Sequence, residues 1–316
     1  MDLTKYEDTT KVEARPYRIA THSNVSMFLE CPMKFYFRNI EKIIPLTKSK
    51  ALTIGSMFHD AIDRYHQKIT NSVDETVLKE VLEWVDTQCP KTDGVVDSNE
   101  DVMIQGMVNG FIRYFANSKY KIVETEKVFD KPHTDQCHRC GKIDAKLHDE
   151  SGQLFLGEWK SCSKLTDTIT KVRCSNQGNH YLWAYEDEKP KGVIYRIVRK
   201  SLLRQKKEES LGAFRQRILD DYRARPVDNF YEEVYWFDKA KLDRWKHEFD
   251  LINHRVESMI KDESWYRNCG SCSNYGKLCG YHPICFANSQ REYDDLKNTS
   301  FKHREPGEEL FTIDEE

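Results

Sequence analysis

The 316-residue chain has no basic-plus-apolar leader and no apolar run long enough to span a bilayer. A secreted or membrane protein is therefore not expected, and a cytoplasm, bacterial or that of a host cell, is the expected location. It also lacks a large net charge: the formal value is -3, which excludes a surface coated in positive charge but allows a local basic channel. No internal repeat or low-complexity tract stands out, which removes repeat architectures. Ten cysteines without a secretory signal do not read as a disulfide scaffold, so metal or cluster binding is the expectation for them. What is present, 39% hydrophobic and 12% aromatic residues, is enough to bury a substantial core in one or two domains.

Residues 1–20 are weakly patterned and read as a tail. From Ser23 to Phe115 the apolar spacing is mostly helical, with Ser23 or Asn24 as a cap and Cys31-Pro32 as a boundary. Strand patterns follow at Lys121–Phe129, Gly141–Leu147 and Leu154–Lys160, then a helix near Gln177–Glu186 and a strand at Gly192–Arg199. Glu232–Phe237 reads as a last strand, and Asp238–Glu263 as a long helix capped by Asp238. The fold class is α/β with one sheet: a main domain over 21–263, a cysteine-rich segment over 264–290, and an acidic tail over 291–316.

Chemistry concentrates at Gly141-Lys142-Ile143-Asp144 and Gly157-Glu158-Trp159-Lys160. Side chains alternate along a strand, so Glu158 and Lys160 share a face, as do Lys142, Asp144 and Lys146 in the preceding run. The intervening His148-Asp149-Glu150-Ser151-Gly152 has turn composition, and a hairpin would bring Asp144 near Glu158. Two carboxylates suit Mg²⁺ or Mn²⁺, and an adjacent lysine can orient water and offset phosphate charge. An ordinary solvated hairpin face accounts for the same residues equally well.

Three further features bear on that choice. His59 lies in a helical pattern whose apolar positions are Ile54, Phe58, Ala61, Ile62 and Tyr65; alone it reads as a helix histidine. Gln177 and Tyr181 stand one helical turn apart and project from one face. Between Tyr195 and Arg225 there are ten Lys or Arg against four acids, and Arg196, Arg199, Lys200 and Arg204 open that run as candidate DNA contacts. A solvated helical surface is the alternative.

In order, Ser23–Phe37, Gly-x-x-x-His at 55–59, Glu126 on a strand, Gly-x-x-Asp at 141–144, Glu-x-Lys at 158–160 and Gln-x-x-x-Tyr at 177–181 resemble the PD-(D/E)XK nuclease superfamily. The match is to its RecB-like branch, similar to stand-alone phage-type exonucleases and CRISPR-adaptation nucleases. The resemblance spans roughly residues 20 to 290 and implies a restriction-endonuclease-like core, a central mixed sheet flanked by helices. It implies that His59, Asp144 and Glu158 hold Mg²⁺ or Mn²⁺, that Lys160 assists the nucleophilic water, and that Gln177 and Tyr181 position DNA or the lysine. Glu126 would be a secondary candidate, acting through water. The implied activity is a DNA exonuclease on single strands or duplex ends in replication, recombination or repair, with replication or recombination proteins as partners and no membrane. Two departures stand out: Glu158 replaces the Asp common in this branch, and Cys137-His138-Arg139-Cys140 interrupts the approach to Gly141.

Cys269, Cys272, Cys279 and Cys285 lie within seventeen residues. They could bind Zn²⁺ locally, or three of them could join Cys31 around a 4Fe-4S cluster, as in the iron-sulfur subset of RecB-like nucleases. Spacing does not choose among the five thiols. Cys137, Cys140, Cys162 and Cys174 are candidates for a second zinc site. Two rival readings remain: a catalytically silent nuclease-fold DNA-binding factor, and a zinc-binding module for nucleic acid or protein.

Overall fold

The structure, a computed structural model, describes residues 16–46, 50–88, 100–274, 276–307 and 310. Most of the expected N-terminal tail and the last six residues lie outside the described residues. The described chain begins with β1 (Arg18–Ala20), α1 (His22–Glu30), α2 (Pro32–Asn39), β2 (Ile43–Pro45), α3 (Lys50–Lys68), α4 (Glu75–Gln88) and α5 (Glu100–Phe115). It continues through β3 (Lys121–Thr134), β4 (Cys137–His148), β5 (Leu154–Cys162), α6 (Leu165–Cys174), α7 (Gln177–Ala184) and β6 (Gly192–Arg199). After these come α8 (Leu211–Ala224), α9 (Pro226–Asn229), β7 (Phe230–Trp236) and α10 (Lys239–Lys261). The last elements are β8 (Ser273–Asn274), β9 (Lys277–Leu278), α11 (His282–Cys285), α12 (Gln290–Ser300) and β10 (Phe301–His303).

Two compact units share this chain. The first comprises Met1–Lys48, Val128–Lys142 and Lys246–Glu316; the second comprises Ser49–Lys127 and Ile143–Trp245. The chain crosses between them within β3, β4 and α10, so the division does not follow the contiguous domains expected from sequence.

In the second unit a mixed sheet is flanked by helices. Ala145–His148 of β4 pairs antiparallel with β5, β5 pairs parallel with β6, and β6 pairs antiparallel with β7. Parallel neighbours need a long crossover, which α6 and α7 supply between β5 and β6. The face bearing Ala145, Leu147, Phe155, Trp159, Ile194 and Val198 packs on α3, α5 and α8 in one apolar core. In α3 the expected stripe of Ile54, Phe58, Ala61, Ile62 and Tyr65 is buried throughout. Gly55, which the Gly-x-x-x-His spacing suggests as the helix start, lies inside α3, and a Cβ there would meet nothing within 4 Å. In α5, Gly106 and Gly110 let α8 approach: a Cβ on Gly106 would stand 2.5 Å from Ile218 Cγ2.

In the first unit, Phe28, Phe35, Val256 and Met259 form one apolar cluster, and Phe37, Ile43, Tyr281, Ile284 and Phe301 another. The cap of α1 is Thr21, whose Oγ1 accepts the Asn24 N–H at 3.0 Å, and not Ser23 or Asn24 as the sequence suggests. Pro32 opens α2 at its first position, where its missing N–H costs no helix bond. Part of the stretch expected as a tail is ordered: α12 leads into β10, which pairs antiparallel with β2. Among the described residues no helix is long and apolar enough to cross a membrane.

Candidate active site

Within the second unit, strand and helix geometry bring His59, Asp144, Glu158, Lys160, Gln177 and Tyr181 together. The printed ladder between β4 and β5 ends at Ala145 opposite Gly157. One residue further along β4, the Asp144 carboxylate accepts the Trp159 N–H through Oδ2. A side chain takes a bond there that a strand neighbour would otherwise make, so the two strands can part at the site. The other oxygen of Asp144 lies 3.2 Å from His59 Nδ1 on α3.

Glu158 is gripped from three directions. Oε1 receives Lys160 Nζ from two residues along the same strand face and Gln177 Nε2 at 3.0 Å. Oε2 receives the Tyr181 hydroxyl at 2.9 Å, and Gln177 Nε2 also reaches that hydroxyl at 3.0 Å. The one-turn spacing of Gln177 and Tyr181 thus serves Glu158. The start of α7 is fixed by Ser175, whose Oγ accepts the Gln177 N–H at 3.1 Å.

Asp144 and Glu158 are 7% and 5% exposed, whereas the Lys160 side chain is 30% exposed. Burial pushes the Asp144 carboxyl up, but His59, the Trp159 N–H and Lys160 outweigh it and hold it below the usual carboxylate range. Burial raises Glu158, and Asp144 adds to that rise against the opposing pull of Lys160. Burial lowers the His59 imidazole, yet the charge and hydrogen bond of Asp144 bring its net position above the ordinary histidine value. Tyr181 is driven well above the ordinary tyrosine range by burial and then by the two carboxylates. Its hydroxyl stays protonated and donates.

Sequence reasoning missed Tyr195. It pairs with Glu158 across β5 and β6 and is 1% exposed, and its hydroxyl lies 3.3 Å from the position a Cβ on Gly178 would take. Period-two reading of β6 against β5 was the available signal. Glu126, the secondary candidate, is half-buried in β3 with a left-handed φ of 50°, which marks a local break in strand geometry.

The proposed DNA contacts separate. Arg196 is corrected: it is 1% exposed, with Nε 2.9 Å from Glu232 and a terminal nitrogen 3.1 Å from the Tyr120 carbonyl. It sits on the core face of β6 and cannot meet a phosphate there. Arg199 donates to Asn229 Oδ1 at 3.1 and 2.8 Å and remains half-buried. Lys200 is half-buried and held below the ordinary lysine value by burial, while Arg204 is exposed.

In the first unit Cys31, Cys272, Cys279 and Cys285 line one recess, with Arg267 and His282 also on its wall. Cys31 Sγ is met by the Asn268 N–H at 3.5 Å. Burial pushes the Cys285 thiol up to about 11. Cys269 is exposed and does not line the recess.

Of the candidates for a second zinc site, Cys137 and Cys140 belong to the first unit and Cys162 and Cys174 to the second. Cys137 and Cys140 stand three residues apart inside β4, so a regular strand turns their thiols to opposite faces. Cys137 Sγ accepts from Arg18 at 3.1 Å, and Cys174 is exposed at the end of α6. The segment read as an interruption is ordinary strand. Among the described residues no three His, Cys, Asp or Glu side chains are set as a finished ligand shell.

The sequence model of the PD-(D/E)XK nuclease superfamily matches residues 20–286. The chain belongs to that superfamily, and the order of its motifs is consistent with the RecB-like branch. A candidate exonuclease from Eubacterium rectale is similar in structure, with a TM-score of 0.50 and 12% identity over 92% of this chain and 100% of that one. An alkaline exonuclease from Laribacter hongkongensis aligns over 65% of this chain and 94% of its own, at 11% identity and a TM-score of 0.32. No curated protein matches the chain.

Proposed function

We propose that this nuclease-superfamily chain is a DNA exonuclease that cuts phosphodiester bonds from single strands or duplex ends, with the centre at Asp144, Glu158 and Lys160. The observation that carries the reading is the buried carboxylate pair, with Lys160 on one partner and His59 on the other. A solvated hairpin face would not bury two carboxylates and surround them with donors, since an uncompensated buried charge is costly.

His59, Asp144 and Glu158 are the residues that would hold Mg²⁺ or Mn²⁺, and their oxygen and imidazole donors fit such an ion. When bound, the ion supplies Lewis-acid polarisation of the phosphate and lowers the pKa of water. The protein's own side chains do the rest. Tyr181 and Gln177 fix the rotamer of Glu158, so the carboxylate need not reorganise when charge develops. Lys160, partly exposed beside Glu158, is placed to orient the attacking water and to offset charge on the phosphate. Lys200 and Arg204, beyond the end of β6, are the remaining candidates for the DNA backbone. DNA ends arising in replication, recombination or repair are the proposed substrates.

The test uses end-labelled single- and double-stranded DNA and closed circles, with Mg²⁺ or Mn²⁺. Asp144→Asn and Lys160→Ala should each abolish release of labelled nucleotides while the protein remains folded, read as a wild-type circular dichroism spectrum at the assay temperature. Full activity in either variant removes the proposed centre, and cutting of closed circles removes the exonuclease assignment.

We further propose that the recess in the first unit takes a thiolate-bound centre, a 4Fe-4S cluster or Zn²⁺, through Cys31, Cys272, Cys279 and Cys285. Four thiols on one recess fit either centre as a donor set, and the Arg267 guanidinium would offset thiolate charge. Iron, zinc and sulfide quantified after anaerobic purification distinguish the two.

A further inference from the structure

The recess uses four cysteines, and a fifth stands beside it unassigned. Cys269 opens a single 3₁₀ turn, Cys269–Ser271, and the N–H of Cys272 closes that turn on the Cys269 carbonyl at 3.2 Å. The Cys272 thiol points back along this turn, donating at 3.8 Å to the carbonyl of Asn268, the residue next to Cys269. Residues at either end of such a turn have Cα atoms roughly 5–6 Å apart, inside the span a disulfide accepts. Gly270 and Ser271 place no bulky side chain between them. Cys269 is exposed, whereas Cys272 is half-buried on the recess wall.

We propose that Cys269 and Cys272 are a redox pair, in which oxidation by a low-molecular-weight disulfide withdraws Cys272 from the recess and closes it to metal. This rests on the recess being the thiolate centre proposed above. The exposed Cys269 thiolate attacks one sulfur of the small disulfide, forming a mixed disulfide and releasing one thiolate. The Cys272 thiolate then attacks the Cys269 sulfur, the Sγ–Sγ bond forms, and the second small thiolate leaves. Two protein thiols are oxidised, one disulfide is reduced to two thiols, and the two protons lost by the cysteines pass to the products.

The order of access follows from burial. A small disulfide reaches Cys269 from solvent, and Cys269 lies outside the proposed ligand set, so it can react without first breaking a metal bond. Cys272 and Cys279 are a competing pair: they flank the β8–β9 hairpin, and the Cys279 N–H bonds the Cys272 carbonyl at 2.8 Å. The experiment must therefore map the bond as well as detect it.

Full-length protein, purified anaerobically and stripped of metal, is treated with oxidised glutathione, digested without reduction and mapped by mass spectrometry. Zn²⁺ binding is measured alongside by competition with a chromogenic chelator. Wild type should give a Cys269–Cys272 bond and a loss of zinc affinity of tenfold or more, reversed by dithiothreitol. Cys269→Ser should bind zinc as wild type does when reduced and should keep that affinity after oxidation. A Cys272–Cys279 bond, or no intramolecular bond, overturns the pair. If Cys269→Ser loses zinc as fully as Cys272→Ser, Cys269 is a ligand and the proposal fails. If no variant binds zinc or iron even when reduced, the recess reading fails, and the disulfide map still decides whether the pair exists.

Discussion

The guanidinium of Arg196 lies among Glu232, the Tyr120 carbonyl and the rings of Phe115 and Trp159, at 4.9 and 5.1 Å from the ring centroids. Removing it takes one partner from Glu232, which keeps the Ser118 hydroxyl at 3.1 Å, leaves the Tyr120 carbonyl without its donor and opens a cavity. Arg196→Ala should therefore cost roughly 3 kcal/mol or more of folding stability, read as a fall in denaturation midpoint with DNA affinity per folded molecule unchanged. A stable variant with weakened DNA binding would return Arg196 to the surface role that its neighbours in sequence suggest. Charge counting could not separate Arg196 from Arg204, because strand alternation assigns a face without saying which face is covered. For Glu158 and Lys160 on β5 and Asp144 on β4, alternation gave the faces but left an ordinary solvated hairpin open, because the burial of both carboxylates is set by helices packed from elsewhere in the chain. His59 gives a pH test. Its folded pKa is raised, so in chelated protein the protonated ring stabilises the fold fully below its unfolded value of about 6.5, and that contribution is lost as pH rises through the folded value. Asp144, held below its ordinary range, keeps its half of the pair until more acid conditions. The stability gap between wild type and His59→Gln should be widest below about pH 6.5, while Asp144 is still ionised, and should narrow as pH rises above it. A gap that widens with pH would reverse the sign and remove the pair.

At the scale of elements, α5 is buried on nearly every side and depends on two glycines where α8 crosses it. Gly106→Val forces Ile218 aside and should destabilise by about 1–3 kcal/mol, lowering the thermal midpoint with the catalytic residues untouched. Wild-type melting would show that the contact relaxes freely. Helices and strands with strong periodicity were legible: α10 begins after its Asp238 cap, with the Lys241 N–H on Asp238 Oδ1 at 3.2 Å, and β5 and β6 fall close to their expected bounds. The ends set by tertiary contact were not legible. Thr21 was passed over because the cap lies before the visible helical spacing. The Cys137–Cys140 spacing read as a metal knuckle because a strand and a knuckle can carry the same residues, and only backbone geometry tells them apart.

At the scale of the whole molecule, the first unit gathers three stretches of chain separated by long intervals of sequence. A centre bound by Cys31 and the late cysteines would tie the first of these stretches to the last, and at a thousandfold excess over its dissociation constant a ligand adds about 4 kcal/mol to the folded state. Stripping the metal, or Cys279→Ser, should therefore lower the melting temperature together with the metal content. Unchanged melting after complete removal would show that the recess does not stabilise the fold. Sequence showed both halves of this arrangement, Cys31 and the group from Cys269 to Cys285, but not which four thiols share a wall. That depended on the path of one short turn, which leaves Cys269 outside.

The recess wall also has a history in time. Cys31 leaves the ribosome early, and its facing wall is absent until Cys285 and Phe286 have been made. At bacterial-to-eukaryotic synthesis rates of about 5–20 residues per second, that delay is on the order of tens of seconds. All residues of the second unit have been made by Trp245, so the carboxylate centre can form while Cys31 still waits for its partners. A nascent chain halted between these two points would carry every residue of the second unit while Cys31 still lacked the residues that share its recess wall.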